Sequence, residues 1–271
     1  MISSARSLLF VPGDRPERFA KAAAAGADLV CIDFEDAVTP PARPAARLAA
    51  LEYLAGLGAA HRVGVRVSSL HQADGLRDVL ALHENQAVCA FVMLAKTESA
   101  TQLALLAALL PGVPQIALIE TAQGLAQAPH IARAGPLLQA LMLGGVDLCA
   151  ELGCALAWEP LLQARSTLVG AAALAGLACI DVPWLDIADA EGARAEAARV
   201  AALGFTGKAL IHPQQVLPVH AGFAPPEVEL QRARRIVQAA GPNDSAVQLD
   251  GRLIDRPVVL AALRLLRRAG E

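Results

Sequence analysis

Short apolar runs alternate with longer Ala/Leu-rich stretches along most of this chain. The short runs are Ser7–Val11, Leu29–Phe34, Val63–Val67, Val88–Leu94, Gln115–Ile119, Ala140–Leu143, Ala178–Asp181 and Gly207–Ile211. Each has the length of a buried strand. Helical stretches are expected between them, near 15–25, 42–57, 72–84, 98–110, 124–134, 160–176 and 189–203. Eight strands alternating with helices predict a (β/α)8 TIM barrel. A doubly wound open sheet would usually carry a glycine-rich turn after its first strand. Here that turn is Pro12-Gly13-Asp14-Arg15-Pro16, which is not GxGxxG.

The barrel pattern is used up near residue 212. A Pro-rich link follows (Pro218, Pro225, Pro226), then a helix near 227–240 and a loop, Gly241-Pro242-Asn243-Asp244. A short segment, Val247–Asp255, and a final helix, Pro257–Ala269, complete the chain. Pro257 suits a first helical turn, and Arg264, Arg267 and Arg268 suit the C-terminal half. The expected organisation is a barrel over 1–215 and a C-terminal helical extension over 216–271, placed to act as a lid or to reach a neighbouring subunit.

Composition narrows the class. Of 271 residues, 55% are hydrophobic and 18% charged, with a formal net charge of −3. That balance argues against a nucleic-acid binder. The apolar stretches at 100–119 and 168–180 are broken by Pro111 and Pro114 or too short to span a bilayer. No secretory pattern opens the chain, and none of the five cysteines forms a CxxC pair. A soluble, cytoplasmic protein is expected.

The chemistry sits where strands end. Asp33, Glu35 and Asp36 close the second run, Arg66 lies in the third, Lys96 follows the fourth, and Glu120 closes the fifth. Asp147 follows the sixth, Asp181 ends the seventh, and Lys208 and His212 accompany the eighth. In a barrel these ends converge on one rim. Carboxylates with no His or Cys nearby favour a hard cation, Mg2+ above all. An arginine on the same rim can take a substrate carboxylate in bidentate fashion. From spacing alone, Glu120 and Asp147 are equally readable as first-turn helix acids, Arg66 as an ion-pair partner of Glu35 or Asp36, and Asp255 as a plain N-cap before Pro257.

A resemblance bears on those alternatives. The matching stretches begin with Arg6-Ser7-Leu8-Leu9-Phe10-Val11-Pro12-Gly13, Arg15-Pro16-Glu17-Arg18-Phe19-Ala20-Lys21 and Ile32-Asp33-Phe34-Glu35-Asp36-Ala37-Val38. They continue through Val65-Arg66-Val67, Met93-Leu94-Ala95-Lys96-Thr97-Glu98-Ser99, Leu118-Ile119-Glu120-Thr121-Ala122 and Gly145-Val146-Asp147-Leu148. Gly207-Lys208-Ala209-Leu210-Ile211-His212-Pro213 and Gly251-Arg252-Leu253-Ile254-Asp255-Arg256-Pro257 complete the series. In this order they resemble the citrate lyase β-subunit-like family of the HpcH/HpaI aldolase group, including malyl- and citramalyl-CoA lyases.

The resemblance implies a TIM barrel, a Mg2+ site and a trimer-based assembly, a homotrimer or a multiple of one. It implies cleavage or formation of a C–C bond between a 2-oxo acid and an acyl-CoA thioester. Its metal ligands fall on Glu120 and Asp147, and its substrate-carboxylate arginine on Arg66. Asp33 and Glu35 lie beside the metal and substrate. Its catalytic acid/base falls on Asp255, reached across a subunit boundary. Arg15, Arg18 and Lys21 are candidates for the phosphates of coenzyme A. Val146 departs from the pattern, since many relatives carry an acid there. The competing functions are a class II 2-oxo-acid aldolase, a citryl-carrier lyase subunit, and a non-catalytic homologue that binds coenzyme A or an oxo acid.

Overall fold

The computed structural model describes residues 2–58, 61–240 and 246–270. Eight parallel strands close into a barrel in sequence order. They are β1 (Ser7–Pro12), β2 (Leu29–Asp33), β3 (Val63–Val67), β4 (Val92–Leu94), β5 (Gln115–Ile119), β6 (Leu138–Leu143), β7 (Ala178–Asp181) and β8 (Gly207–Leu210). The ring closes where Ser7 of β1 lies opposite Lys208 of β8. Around it run α1 (Phe19–Ala23), α2 (Arg43–Ala55), α3 (Ala73–Glu84), α4 (Ala100–Leu109) and α5 (Ala122–Ile131). Two helices, α6 (Gly145–Leu152) and α7 (Trp158–Ala175), separate β6 from β7, and α8 (Ala190–Leu203) and α9 (Val216–Phe223) flank β8.

Strand alternation sorts the side chains into two cores. Leu8, Leu29, Cys31, Met93, Ile116, Leu118, Met142 and Ile180 fill the barrel interior. Their neighbours Leu9, Val30, Ile32, Val65, Leu94, Ile119 and Leu141 point outward into the layer beneath the helices. The same parity decides which charged residues can reach the inner rim. Asp33 continues the inward series of Leu29 and Cys31, and Glu120 that of Ile116 and Leu118. Asp181, next to inward-facing Ile180, must point outward.

The extension has a core of its own. Leu230, Ala233, Ile236, Ile254, Val259 and Leu266 form a third apolar cluster. It joins α10 (Glu227–Ala240), the antiparallel pair β9 (Val247–Leu249) and β10 (Arg252–Ile254), and α11 (Arg256–Arg268). The two helices pack mainly on each other. Arg268 Nη2 donates to the Phe223 carbonyl at 3.3 Å, tying α11 to α9. The expected loop at Gly241-Pro242-Asn243-Asp244 lies outside the described residues.

Three elements differ from the sequence reading. The fourth strand is shorter than 88–94, because exposed Val88 gives its carbonyl to His61 Nε2 at 2.8 Å rather than to a strand neighbour. Helix α6 forms between the sixth strand and the stretch 160–176, where the sequence pattern predicts no helix. Helix α9 forms across Pro218, which falls in its first turn, where a missing N–H costs no helical hydrogen bond. α9 packs on α8. No helix among the described residues is long and apolar enough to cross a membrane. All five cysteines are free.

Candidate active site

Strand register builds the first half of the site. Asp33 on β2 lies directly opposite Arg66 on β3, and both side chains point into the barrel mouth. Arg66 Nε and Nη2 donate to the two Asp33 oxygens at 2.7 and 2.6 Å, a bidentate pair. The same two oxygens accept the Glu35 and Ala37 amides at 2.9 and 3.0 Å. Burial opposes ionisation of Asp33, yet the Arg66 charge and these hydrogen bonds outweigh it and hold the carboxyl below its usual range. The guanidinium rests on the Phe10 ring, 5.1 Å from its centroid. Burial would lower its basicity, but Asp33 and Glu35 raise it further, so Arg66 stays charged. Its third nitrogen, Nη1, is held more loosely, 3.2 Å from Glu35 and 3.7 Å from Asp36.

Lys96 ties the second half together. Its backbone is left-handed, with φ of 49°, a conformation that costs a non-glycine residue free energy. In that conformation its amide donates to Glu120 Oε1 at 2.8 Å. Its ammonium donates to Glu35 Oε1 at 2.5 Å. It also lies 3.8 Å from Glu120, 4.0 Å from Asp147 and 4.0 Å from Asp36. Glu120 and Asp147 thus each lie within 4.0 Å of one cationic nitrogen. Asp147 reaches it from the first turn of α6, with its side chain 39% exposed. Glu120 is buried. Burial, together with the neighbouring charge of Glu35, pushes its carboxyl up to about 8. Burial also raises Glu35.

Gly144 makes this approach possible. A Cβ at that position would stand 2.4 Å from the Glu120 Cβ and 2.5 Å from its Oε2. The glycine pair at 144 and 145 is therefore a clearance for a carboxylate and does not interrupt the chain's helicity.

The donor set suits a hard divalent cation. Five carboxylates (Asp33, Glu35, Asp36, Glu120, Asp147) share the rim with two cations, Arg66 and Lys96, leaving an excess of negative charge. Glu35 Oε2 is buried without a hydrogen-bond partner, although Arg66 lies at ion-pair distance. Among the described residues no three His, Cys, Asp or Glu side chains gather tightly enough to chelate an ion alone. Two carboxylates are enough for Mg2+, which commonly keeps water and substrate in its remaining positions.

Other sequence candidates fall elsewhere. Asp181 and Lys208 are not rim groups. They are opposite each other on β7 and β8, face outward, and are fully buried in a network with Arg165 and Glu196. Lys208 Nζ donates to Asp181 at 2.7 Å and lies 3.2 Å from Glu196. Counting alternate positions from Ile180 would have separated them from the rim. His212 caps the turn at Pro213, its Nδ1 accepting the Gln214 amide at 3.2 Å. Arg15, Arg18 and Lys21 are exposed in the turn and short helix after β1. Asp255 caps α11, accepting the Val258 amide at 3.3 Å. Val146 is exposed. Lys96 carries more of the site than its sequence context suggested, because its left-handed backbone has no signature in the residues around it.

A closed (β/α)8 barrel whose inner rim gathers carboxylates around an arginine and a lysine defines a barrel with a polar, cation-seeking mouth. Residues 6–213 match the family model described as HpcH/HpaI aldolase/citrate lyase, and the chain belongs to that family. It is 40% identical to the citrate lyase subunit beta-like protein of Mycobacterium tuberculosis, over 97% of this chain and 95% of that one. It is 31% identical to the L-malyl-CoA/beta-methylmalyl-CoA lyase of Cereibacter sphaeroides, over 97% of this chain and 94% of that one. Among solved structures, CitE from M. tuberculosis in complex with magnesium, acetoacetate and coenzyme A superposes with a TM-score of 0.88 at 39% identity, covering all of both chains. The same protein with magnesium and pyruvate gives 0.79 at 36% identity, covering 98% of this chain and 100% of that one. The chain is thus homologous to the acyl-CoA lyases and aldolases of this family.

Proposed function

We propose that this protein is a Mg2+-dependent carbon–carbon lyase that cleaves, or forms, a 3-hydroxyacyl-CoA thioester of the malyl-, citramalyl- or citryl-CoA type. The products of cleavage are a 2-oxo acid and an acyl-CoA. The observation that carries this reading is that Glu120 and Asp147 both lie within 4.0 Å of the Lys96 ammonium, on a rim with surplus negative charge. Relatives support it, since the M. tuberculosis protein has been crystallised with magnesium, acetoacetate and coenzyme A.

Glu120 and Asp147 would hold the ion. When bound, it supplies Lewis-acid stabilisation of the charge that grows on the substrate oxygen, worth several kcal/mol. Arg66 orients the carboxylate of the oxo acid through Nη1, its least firmly bonded nitrogen. Asp33 fixes the other two nitrogens, so the guanidinium is set in place before substrate arrives. Lys96 keeps its close bond to Glu35 and moves away from the ion's position by charge repulsion. The unpaired Oε2 of Glu35 accepts a hydrogen bond from water or a substrate hydroxyl. In cleavage, a base takes the hydroxyl proton, the C–C bond breaks as the carbonyl forms, and the thioester enolate is reprotonated.

We assign that proton transfer to Asp255. Its hydrogen bond goes to its own helix rather than to a rim residue. The extension, expected over 216–271 but beginning only after α9, which packs into the barrel's helical layer, is proposed to act as a lid on the site of a second copy, in a homotrimer or a multiple of one. Arg15, Arg18 and Lys21, exposed beside the end of β1, are proposed to meet the phosphates of coenzyme A.

The test is turnover of malyl-, citramalyl- and citryl-CoA with Mg2+, following oxo-acid and acyl-CoA release together. Asp255→Asn is expected to lower turnover by at least about 100-fold, with oligomer size and Mg2+ affinity unchanged. Near-normal turnover in that variant would refute the proton-transfer role. Aldol chemistry on free oxo acids without thioester cleavage would point to the class II aldolase. Turnover only of a carrier-bound citryl thioester would point to a citrate lyase subunit. Coenzyme A binding with no turnover would leave a non-catalytic homologue.

A further inference from the structure

Both tryptophans of this chain line a single cavity away from the rim. It lies outside the barrel, between α7, α8 and the segment after β7, and encloses about 580 Å3, a volume typical of small-molecule sites. Leu156, Leu161, Val182 and Pro183 give it apolar walls. Arg165 also lines it and is only 1% exposed. Arg165 Nε and Nη2 are committed to Asp181 and Glu196. Its Nη1 is buried with no hydrogen-bond partner, as is Nε1 of Trp184, another residue of the lining, and its guanidinium packs under the Trp158 ring, 4.5 Å from the centroid. At the mouth, the Arg199 guanidinium stacks on Trp158, 3.7 Å from the ring centroid.

The chemistry of the missing partner follows from these groups. The buried charges beside the cavity cancel, Arg165 and Lys208 against Asp181 and Glu196. Both unpaired side-chain atoms are donors, so a ligand must bring acceptors. A cationic amine offers none: it could pair with Asp186 or Glu196 in the lining, but it would leave both donors unsatisfied. A carboxylate accepts from two donors at once and is drawn by the exposed Arg199. The apolar walls ask for a compact hydrocarbon body. We propose that this cavity binds a small carboxylic acid with an apolar body, whose oxygens reach the free N–H groups of Arg165 and Trp184 as the Trp158 and Trp184 rings shift to admit it. The site is separate from the chemistry at the rim and does not depend on the reaction proposed there. Its inner wall nonetheless adjoins the metal-binding helix: Val182 and Leu161 are the side chains a Cβ at Gly145 would strike, at 2.6 and 3.0 Å.

Because the chain has no other tryptophan, intrinsic tryptophan emission reports on this cavity alone. Phenylacetate and phenethylamine, similar in size and opposite in charge, are the probes. Phenylacetate is expected to change the emission saturably, with phenethylamine at least about tenfold weaker. Ala195 lines the cavity and is exposed on α8, clear of the buried ions. Ala195→Phe is expected to remove the phenylacetate response while leaving the unfolding midpoint of the protein unchanged. The proposal is overturned if phenylacetate gives no saturable change, if the two probes respond alike, or if the response survives in a folded Ala195→Phe protein. It is also overturned if emission follows protein concentration instead of probe, which would mean that a second copy covers the cavity.

Discussion

Two carboxylate–cation pairs in this barrel begin from the same arrangement and end with opposite roles. Asp33 and Arg66 are opposite each other on β2 and β3, and Asp181 and Lys208 on β7 and β8. The first pair faces inward and joins a cluster with more carboxylates than cations. The second faces outward and closes a network in which Arg165 and Lys208 match Asp181 and Glu196. Burial does not separate them, since both are almost fully enclosed. Charge balance does. A balanced buried network holds helices to a barrel, whereas an unbalanced one leaves surplus negative charge at its mouth.

The largest effect should come from unbalancing the balanced side. Lys208→Met leaves Asp181 and Glu196 competing for Arg165, and is expected to cost about 3–5 kcal/mol of stability by urea unfolding. Mg2+ affinity in the fraction that remains folded should not change. At the rim, Glu120→Gln should do the reverse. It should weaken Mg2+ binding at least about 100-fold by calorimetry, roughly 2.7 kcal/mol. The metal-free protein should unfold at the same urea concentration as wild type or a slightly higher one, because repulsion between Glu120 and Glu35 is relieved. Loss of stability in Glu120→Gln with unchanged Mg2+ affinity would contradict the distinction.

A similar effect is expected from the ion itself. Mg2+ at about a hundred times its dissociation constant should stabilise the wild-type protein by about 2.7 kcal/mol. Chelation should reverse this, and Glu120→Gln should show no such gain. The smallest effect belongs to an ion contact at the opposite end of the barrel. Asp28 is partly buried, which opposes its ionisation, yet hydrogen bonds with His220 and the Arg6 amide prevail and lower its pKa from 3.8 to about 2. A depressed carboxyl stabilises the folded state above its unfolded pKa and loses that contribution as pH falls through the folded value. The difference in stability between wild type and Asp28→Asn should therefore be constant above about pH 4 and shrink towards pH 2. A gap that widens on acidification would reverse the assigned sign.

Much of this was readable in the chain. Strand ends placed Asp33, Arg66 and Glu120 at the rim, and the apolar runs marked all eight strands. Asp181 and Lys208 were misplaced because ending a strand and facing the rim were treated as one property, although parity separates them. Helix α6 was missed because the reason for Gly144 is Glu120, a residue on a different strand. The left-handed backbone of Lys96 and the unpaired nitrogens of Arg165 and Trp184 depend on surroundings assembled from distant segments, and no local pattern carries them.

Gly144 also limits how this protein can change. Its backbone angles are open to other amino acids, so the restriction comes only from the neighbouring carboxylate. Serine, asparagine or aspartate would ordinarily serve this N-cap position better than glycine by roughly a few tenths of a kcal/mol, but here any side chain would displace Glu120. In a library randomised at position 144, glycine should therefore return under selection for Mg2+ binding, whereas the same library in a Glu120→Gly background, where the clash is gone, should accept serine, asparagine and aspartate when selected for stability.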